Sequence, residues 1–323
     1  MTRGAVAIVS PVAEARITRA RRWARPLGGA LILAALVARL GGGPFVDGLR
    51  ALDARTLALA VGIAGITTAA AAWRWRLVAR GLQVELPLAS AVLACYRAQF
   101  LNVTLPGGVL GDVDRGVRHG RQLDDVGRGL RAVVWERAAG QVVLTMLAVV
   151  AVLLARPFAG TVPSLPPWGL PAVVAAVLIT AMAITRSGVG LRAARVTVAD
   201  LRGLVQPRRL GGIVLASLAV LGGHVATFWI ATRAVDVRMP LVDLLPVALV
   251  ILLVAAVPVN LAGWGPREGA AAWAFAGVGA GAGQGLAVAV AYGAMVLVAT
   301  LPGAVLLITD RSRRASREVE TRG

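Results

Sequence analysis

The feature that most constrains this chain is a series of uncharged apolar runs, each close to the length of a bilayer. Thr56–Trp73, Ala138–Ala155, Leu210–Thr232 and Gly269–Thr309 contain no acidic residue and no arginine, the third being broken only by His224, and a further such run lies within Pro157–Thr185. A helix needs about 20 apolar residues to cross the hydrocarbon core. Inside that core only helices and closed barrels pair all of their backbone groups. The runs therefore predict an all-α, polytopic membrane helix bundle, with a first span at about 27–46 and about six full spans in all.

Two apolar segments do not read as simple spans. Pro87–Tyr96 is apolar, Arg97 then intrudes, and the following uncharged stretch holds Asn102, Pro106, Gly107, Gly108 and Gly111. Leu244–Pro266 is uncharged but is interrupted by Pro258, Asn260, Gly263 and Gly265. Non-helical backbone at membrane depth is tolerated only where protein buries it or where it lines a wet cavity. Both breaks are thus candidate site elements.

Arginine placement fixes the expected topology. Basic loops face the cytoplasm. The basic stretches are 1–25, 74–80, 115–131, 186–209 and 311–322, whereas 47–55, 156–166 and 233–241 carry fewer arginines. All the basic stretches fall inside if 87–114 and 242–275 are re-entrant, entering from opposite faces, with both termini in the cytoplasm. The halves then mirror each other as pseudo-repeats at about 26–156 and 157–310, between basic cytoplasmic tails at 1–25 and 311–323. Leu105-Pro106-Gly107-Gly108 stands opposite Leu261-Ala262-Gly263-Trp264, and Asp112 opposite Glu268, each pair 156 residues apart. Inverted repeats with broken helices are a transporter architecture.

Composition excludes several functions. Hydrophobic residues make up 58% of the chain and charged ones only 15%, with a mean hydropathy of +0.76. A soluble domain has about 25% charged residues, so neither a soluble enzyme nor a disordered chain fits. The net charge is +18, yet a nucleic-acid binder would not be this apolar; basic loops on an anionic leaflet account for the charge. Every basic residue other than histidine is arginine. Without lysine there is no phosphate-loop lysine and no Schiff base. A single cysteine, Cys95, rules out an internal disulfide and a CxxC site, and His119 and His224 are too few for a histidine-rich metal site. No cofactor and no metal are expected.

Three clusters carry candidate chemistry. In the first, Arg97, Asn102, Pro106, Gly107, Gly108, Gly111, Asp112 and Arg115 combine a glycine-rich break with flanking guanidiniums. Glycine lets backbone approach a ligand, and a helix starting after the break points its positive end into the gap, so an anion is the natural guest. The plainer reading is a cytoplasmic loop with Asp112 and Arg115 as an i,i+3 pair. In the second, Glu136 and Arg137 sit near the start of a span whose helix is expected to begin near Leu130. Glu136 either meets Arg115 or Arg97, or both residues snorkel to the interface. In the third, Asn260, Gly263, Arg267 and Glu268 lie between two apolar runs. That cluster is either a site or an external loop with an interfacial Trp264. His224 reads as a helix-packing position, and the Gly-Ala run at 276–285 as a place of close helix contact.

LNVTLPGGVLGDVDR (101–115), VVWERAAG (133–140) and VPVNLAGWGPREGA (257–270), in that order, resemble the signature blocks of the lysylphosphatidylglycerol synthase transmembrane-region family, the flippase-like membrane proteins. The resemblance covers nearly the whole chain. It departs from the pattern where the family's Gly-Gly-x-Gly element reads Gly263-Trp264-Gly265 here. It implies function at Asn102, Pro106, Gly107, Gly108, Gly111, Asp112, Arg115, Glu136, Arg137, Gly263, Arg267 and Glu268. In larger relatives the region moves an aminoacylated phospholipid made by a separate soluble domain. This chain ends at Gly323, so the resemblance implies the flippase-like half alone, with a separate lipid-modifying enzyme as an expected partner.

The leading expectation is a translocase, not an enzyme, in the cytoplasmic membrane. Its cargo would be an anionic lipid, aminoacylated or polyprenyl-phosphate-linked, and its partners membrane lipids with anionic headgroups rather than nucleic acid. The alternative is an ion-coupled transporter of a small solute using Asp112, Glu136 or Glu268. A lipid-modifying membrane enzyme ranks last, and a non-catalytic scaffold remains open.

Overall fold

A computed structural model describes residues 27–154, 191–257 and 261–320. The expected span within Pro157–Thr185, the N-terminal tail and Asn260 lie outside the described residues. Those described form helices and their connections, with no strand, and one isolated antiparallel bridge joins Leu261 and Trp264.

The helices are α1 (Leu27–Leu40), α2 (Gly43–Arg50), α3 (Ala54–Gly81), α4 (Leu88–Thr104), α5 (Leu110–Gln122) and α6 (Val126–Leu154). After the undescribed stretch come α7 (Leu191–Leu204), α8 (Pro207–Ala234), α9 (Leu241–Ala255), α10 (Pro266–Gly277), α11 (Ala282–Ala299) and α12 (Leu301–Glu320). Among the described residues, four segments are long and apolar enough to cross a membrane: α3, α6, α8 and the nearly continuous Ala282–Asp310. Their 28 or 29 residues extend roughly 42 Å, against about 30 Å of hydrocarbon. With α1 and α2 taken as one bent span, there are up to five.

That first span is not straight. α1 and α2 meet at 100°, because Gly41 takes a φ of +75° and Pro44 restarts the helix. α6 begins at Val126, a turn before the expected Leu130, because the Asp125 carboxylate accepts the Arg128 amide at 2.8 Å. At the start of α3, Asp53 accepts both the hydroxyl and the amide of Thr56, which hold its carboxyl below the usual range.

Four stretches read as basic loops are largely helical where described: 186–209 in α7 and the start of α8, 311–322 in α12, and 74–80 and 115–131. α3 continues through 74–80, and α5 with the start of α6 occupies most of 115–131. The helices carry Arg74 and Arg115 inward, while Arg80 and Arg121 stay exposed. Arg74 and Arg115 are consequently buried.

Both expected breaks are present. α4 and α5 are separated by Leu105–Val109, and α9 and α10 by residues 256–265. The helices after the breaks start 156 residues apart (Leu110, Pro266), as do the next ones (Val126, Ala282). The preceding pairs, α3 with α8 and α4 with α9, start 153 apart. Packing follows the same order: α4 on α5 and α5 on α6 in one half, α9 on α10 and α10 on α11 in the other. α3 and α8 bind the halves together through their extensive contact. One core surrounds Phe228, Phe275 and Tyr292, whose rings meet in tilted pairs, and a second surrounds Trp75.

Candidate functional site

The first break is closed by one side chain. Asn102, in the last turn of α4, accepts the Gly111 amide at 2.8 Å and donates to Asp112 Oδ2 at 3.0 Å. It thereby satisfies one of the unpaired amides at the start of α5. Gly107 and Gly108 turn the chain in left-handed conformations, at φ +91° and +64°. Gly111 then lies on the α4 backbone, where a Cβ would come within 2.0 Å of the Ala98 carbonyl oxygen.

Behind this turn is a buried ionic network. Glu136 Oε1 accepts Arg74 Nε at 2.8 Å and Nη2 at 2.5 Å, while Oε2 accepts Arg115 Nη2 at 2.6 Å. Arg115 Nε also donates to Asp112 Oδ1 at 2.9 Å, and Arg137 Nη2 reaches the same oxygen at 2.8 Å. Ser217 takes a further bond from Arg74 at 3.1 Å, and Arg115 lies over the Trp75 ring at 4.6 Å. Gly140 clears the space for Arg74, since a Cβ there would stand 2.7 Å from Nη1. Three arginines and two carboxylates leave this cluster with one excess positive charge. Glu136 is almost wholly enclosed, whereas the Arg137 side chain is 52% exposed.

The second break is a tight turn. Leu261 and Trp264 exchange two backbone bonds of 3.0 Å around Ala262 (φ +51°) and Gly263 (φ +80°). Positive φ at both central residues defines a type I′ turn. Gly265 follows at φ +120°, and its amide donates to Glu268 Oε2 at 2.6 Å. Arg267 binds Glu268 Oε1 through Nε at 2.9 Å and Nη2 at 2.5 Å. Its guanidinium faces the Trp264 ring at 5.3 Å and the Tyr292 ring at 5.4 Å. The Tyr292 hydroxyl lies 2.9 Å from His224 Nδ1, which gives that mid-helix histidine its partner.

The two breaks meet. Gly263 faces the backbone of Val103, where a Cβ would stand 3.5 Å from the carbonyl oxygen. Between them is a cavity of about 200 Å³, bordered by Asn102 and Gly108 from the first half and by Gly263, Trp264, Arg267 and Tyr292 from the second. Among the residues lining it, Arg267 is the one charged side chain.

Of the sequence-predicted residues, Asn102, Gly108, Gly263 and Arg267 border this cavity. Gly111, Asp112, Arg115, Glu136 and Arg137 form the network joined to it through Asn102. Glu268 lies beneath Arg267, and Pro106 and Gly107 form the first turn. Arg97 stands elsewhere: it binds Asp310 on α12, which also receives Arg118 at 3.5 Å. It is therefore not a partner of Glu136, whose second cation is Arg74. Sequence reading missed Arg74, Trp75, Trp264, Tyr292 and Gly293. The Thr56–Trp73 run is only 18 residues long, shorter than the roughly 20 a span needs, and that shortfall was the signal that Arg74 lies inside the helix. Among the described residues no group of three His, Cys, Asp or Glu side chains is placed to hold a metal ion.

No curated protein and no solved structure matches the sequence. The family model described as "Lysylphosphatidylglycerol synthase TM region" matches residues 22–303, so the chain belongs to that family of integral membrane proteins.

Proposed function

We propose that this protein moves an anionic lipid across the cytoplasmic membrane, with the cavity between the two breaks as the headgroup site. The observation that carries this reading is the meeting of two glycine-rich breaks around Arg267, Asn102 and exposed backbone. A guanidinium supplies paired donors to a phosphate, and glycine lets backbone amides approach it. The exposed edge of Arg137 extends positive charge beyond the cavity.

In this reading the helix-break-helix pairs α4–α5 and α9–α10 are re-entrant from opposite faces. The chain forms an inverted repeat of about six spans with both ends cytoplasmic. The matching 156-residue spacings of the helix starts support the repeat, and the arginine distribution supports the orientation. The protein acts as a transporter and not as an enzyme, and a separate enzyme supplies any modified lipid. The ion-coupled alternative requires a carboxylate that gains and loses a proton. Asp112, Glu136 and Glu268 are instead each ion-paired with arginine.

Cysteine labelling in a Cys95→Ser background, together with analysis of lipids co-purifying in mild detergent, tests this proposal. Positions near Arg121 should label from the cytoplasm and positions near Asp53 from outside, and an anionic lipid should be retained. External labelling near Arg121 would contradict the topology. Ion-dependent solute uptake without lipid retention would favour the alternative.

A further inference from the structure

We infer that α7 is an interfacial helix, seated in the headgroup layer of an anionic lipid leaflet and binding it through one exposed stripe. α7 is too short to cross a membrane: its 14 residues extend roughly 21 Å, against about 30 Å of hydrocarbon. Its contacts hold it where three spans end. Gly203 lies on Gly81, the last residue of α3, so closely that a Cβ would come within 2.1 Å of the Gly81 carbonyl oxygen. Asp200 accepts Arg131 Nε and Trp135 Nε1, each at 3.1 Å, from the early turns of α6. Val205 and Gln206 lead directly into α8 at Pro207, and Arg209 folds back to donate to the Gly203 carbonyl. The ends of apolar spans mark the boundary between hydrocarbon and water, and α7 is fixed to all three.

Two stripes run along this helix, because residues three and four apart share a face. Asp200 and Leu204 form the docked stripe, and both are buried. Val198 and Leu201 form the other, and Val205 extends it just past the helix end; the three are 46%, 39% and 59% exposed. Water is a poor neighbour for such a stripe, whereas the upper acyl chains at the boundary cover it.

Charge selects the kind of leaflet. Between Leu191 and Arg209 the one acidic residue is Asp200, which is turned inward on Arg131 and Trp135. Arg202 follows Val198 by one turn and is exposed, as are Arg208 at the start of α8 and Arg80 at the end of α3. Guanidiniums bond to lipid phosphates while the apolar stripe enters the acyl boundary, the pattern of a helix lying on anionic lipid. A protein segment laid over Val198 and Leu201 would have no use for these arginines. In the orientation proposed above, this leaflet is the cytoplasmic one.

The experiment uses the full chain in vesicles of phosphatidylcholine alone or of equimolar phosphatidylcholine and phosphatidylglycerol. Val198→Cys and Leu201→Cys, each in a Cys95→Ser background, carry an environment-sensitive fluorophore. Quenching by a nitroxide on the upper acyl chain is compared with quenching by acrylamide in the water. Lipid quenching in the mixed vesicles should exceed that in phosphatidylcholine alone by at least about twofold, and Arg202→Gln should reduce the excess. Quenching by acrylamide alone would place α7 in water, and quenching by neither would mean that protein, such as residues 155–190 or a second copy, covers the stripe; either result overturns the inference. Equal lipid quenching in both vesicle types overturns the recognition of anionic lipid. Should the labelled variants not fold, the wild type is irradiated with phosphatidylglycerol bearing a photoreactive diazirine near its headgroup: adducts within 196–205 are expected, and their absence overturns the inference. Failure here leaves the Arg267 cavity untouched, because none of these measurements reads lipid movement or retention.

Discussion

Gly293 lies directly against the guanidinium of Arg267: a Cβ at this position would stand 2.2 Å from Nη2. The only charged side chain lining the cavity therefore keeps its place because the facing residue of α11 has no side chain. Gly293→Ala should push Arg267 away from Glu268. The displaced atoms are the end of a flexible chain, so the protein should fold while lipid retention falls by about tenfold, the scale of one charged hydrogen bond. Retention equal to that of the wild type would show that Arg267 does not need this position.

Glu136 neutralises two buried arginines at once. Glu136→Ala leaves both without a counter-charge, and the loss should be about 3–5 kcal/mol, read as a large drop in the melting temperature of the solubilised protein. Arg137→Ala removes a half-exposed partner of Asp112 and should cost about 1 kcal/mol or less. Similar losses from both variants would mean that the network is not organised around Glu136.

Two glycines of the first break separate packing from conformation. Gly111→Ala places a Cβ 2.0 Å from the Ala98 carbonyl oxygen and 2.6 Å from its Cα, so backbone must move and folded protein should be lost. Nothing lies within 4 Å of a Cβ at Gly107, whose φ is +91°. Gly107→Ala should cost only the left-handed strain, about 1–2 kcal/mol. Expression and thermal melting of the two variants check the difference.

Ala262 holds a left-handed φ of +51° in the type I′ turn, a conformation that suits glycine. Ala262→Gly should relieve that strain and raise stability by about 1 kcal/mol. A lower melting temperature would mean that the Ala262 methyl contributes more by packing than its conformation costs.

The helical class, the position of both breaks and four of the residues at their junction, Asn102, Gly108, Gly263 and Arg267, were legible in the sequence. Each is written locally, in uncharged runs and in Gly and Pro placed where an apolar helix cannot continue. The partners of the buried charges were not legible. Arg74 is 62 residues from Glu136, and Arg267 is 25 residues from Tyr292 and 26 from Gly293, on a different helix. Those pairings depend on how helices pack, which residue type and spacing do not encode. Arg97 shows the same limit: its sequence neighbours suggested a place at the break, but it lies on the side of α4 that meets α12. The bend between α1 and α2 was present in Gly41-Gly42-Gly43-Pro44, but the apolar character of the surrounding run concealed it.

Lipid translocation in sealed proteoliposomes tests the central claim most directly. Fluorescent phosphatidylglycerol, accessible to a membrane-impermeant quencher only in the outer leaflet, reports movement between leaflets. The wild type should move the probe faster than protein-free vesicles, and Arg267→Gln, folded by its melting curve, should return the rate to background. Wild-type vesicles that move no anionic lipid, or an Arg267→Gln rate equal to that of the wild type, would contradict a headgroup path through the junction of the two breaks.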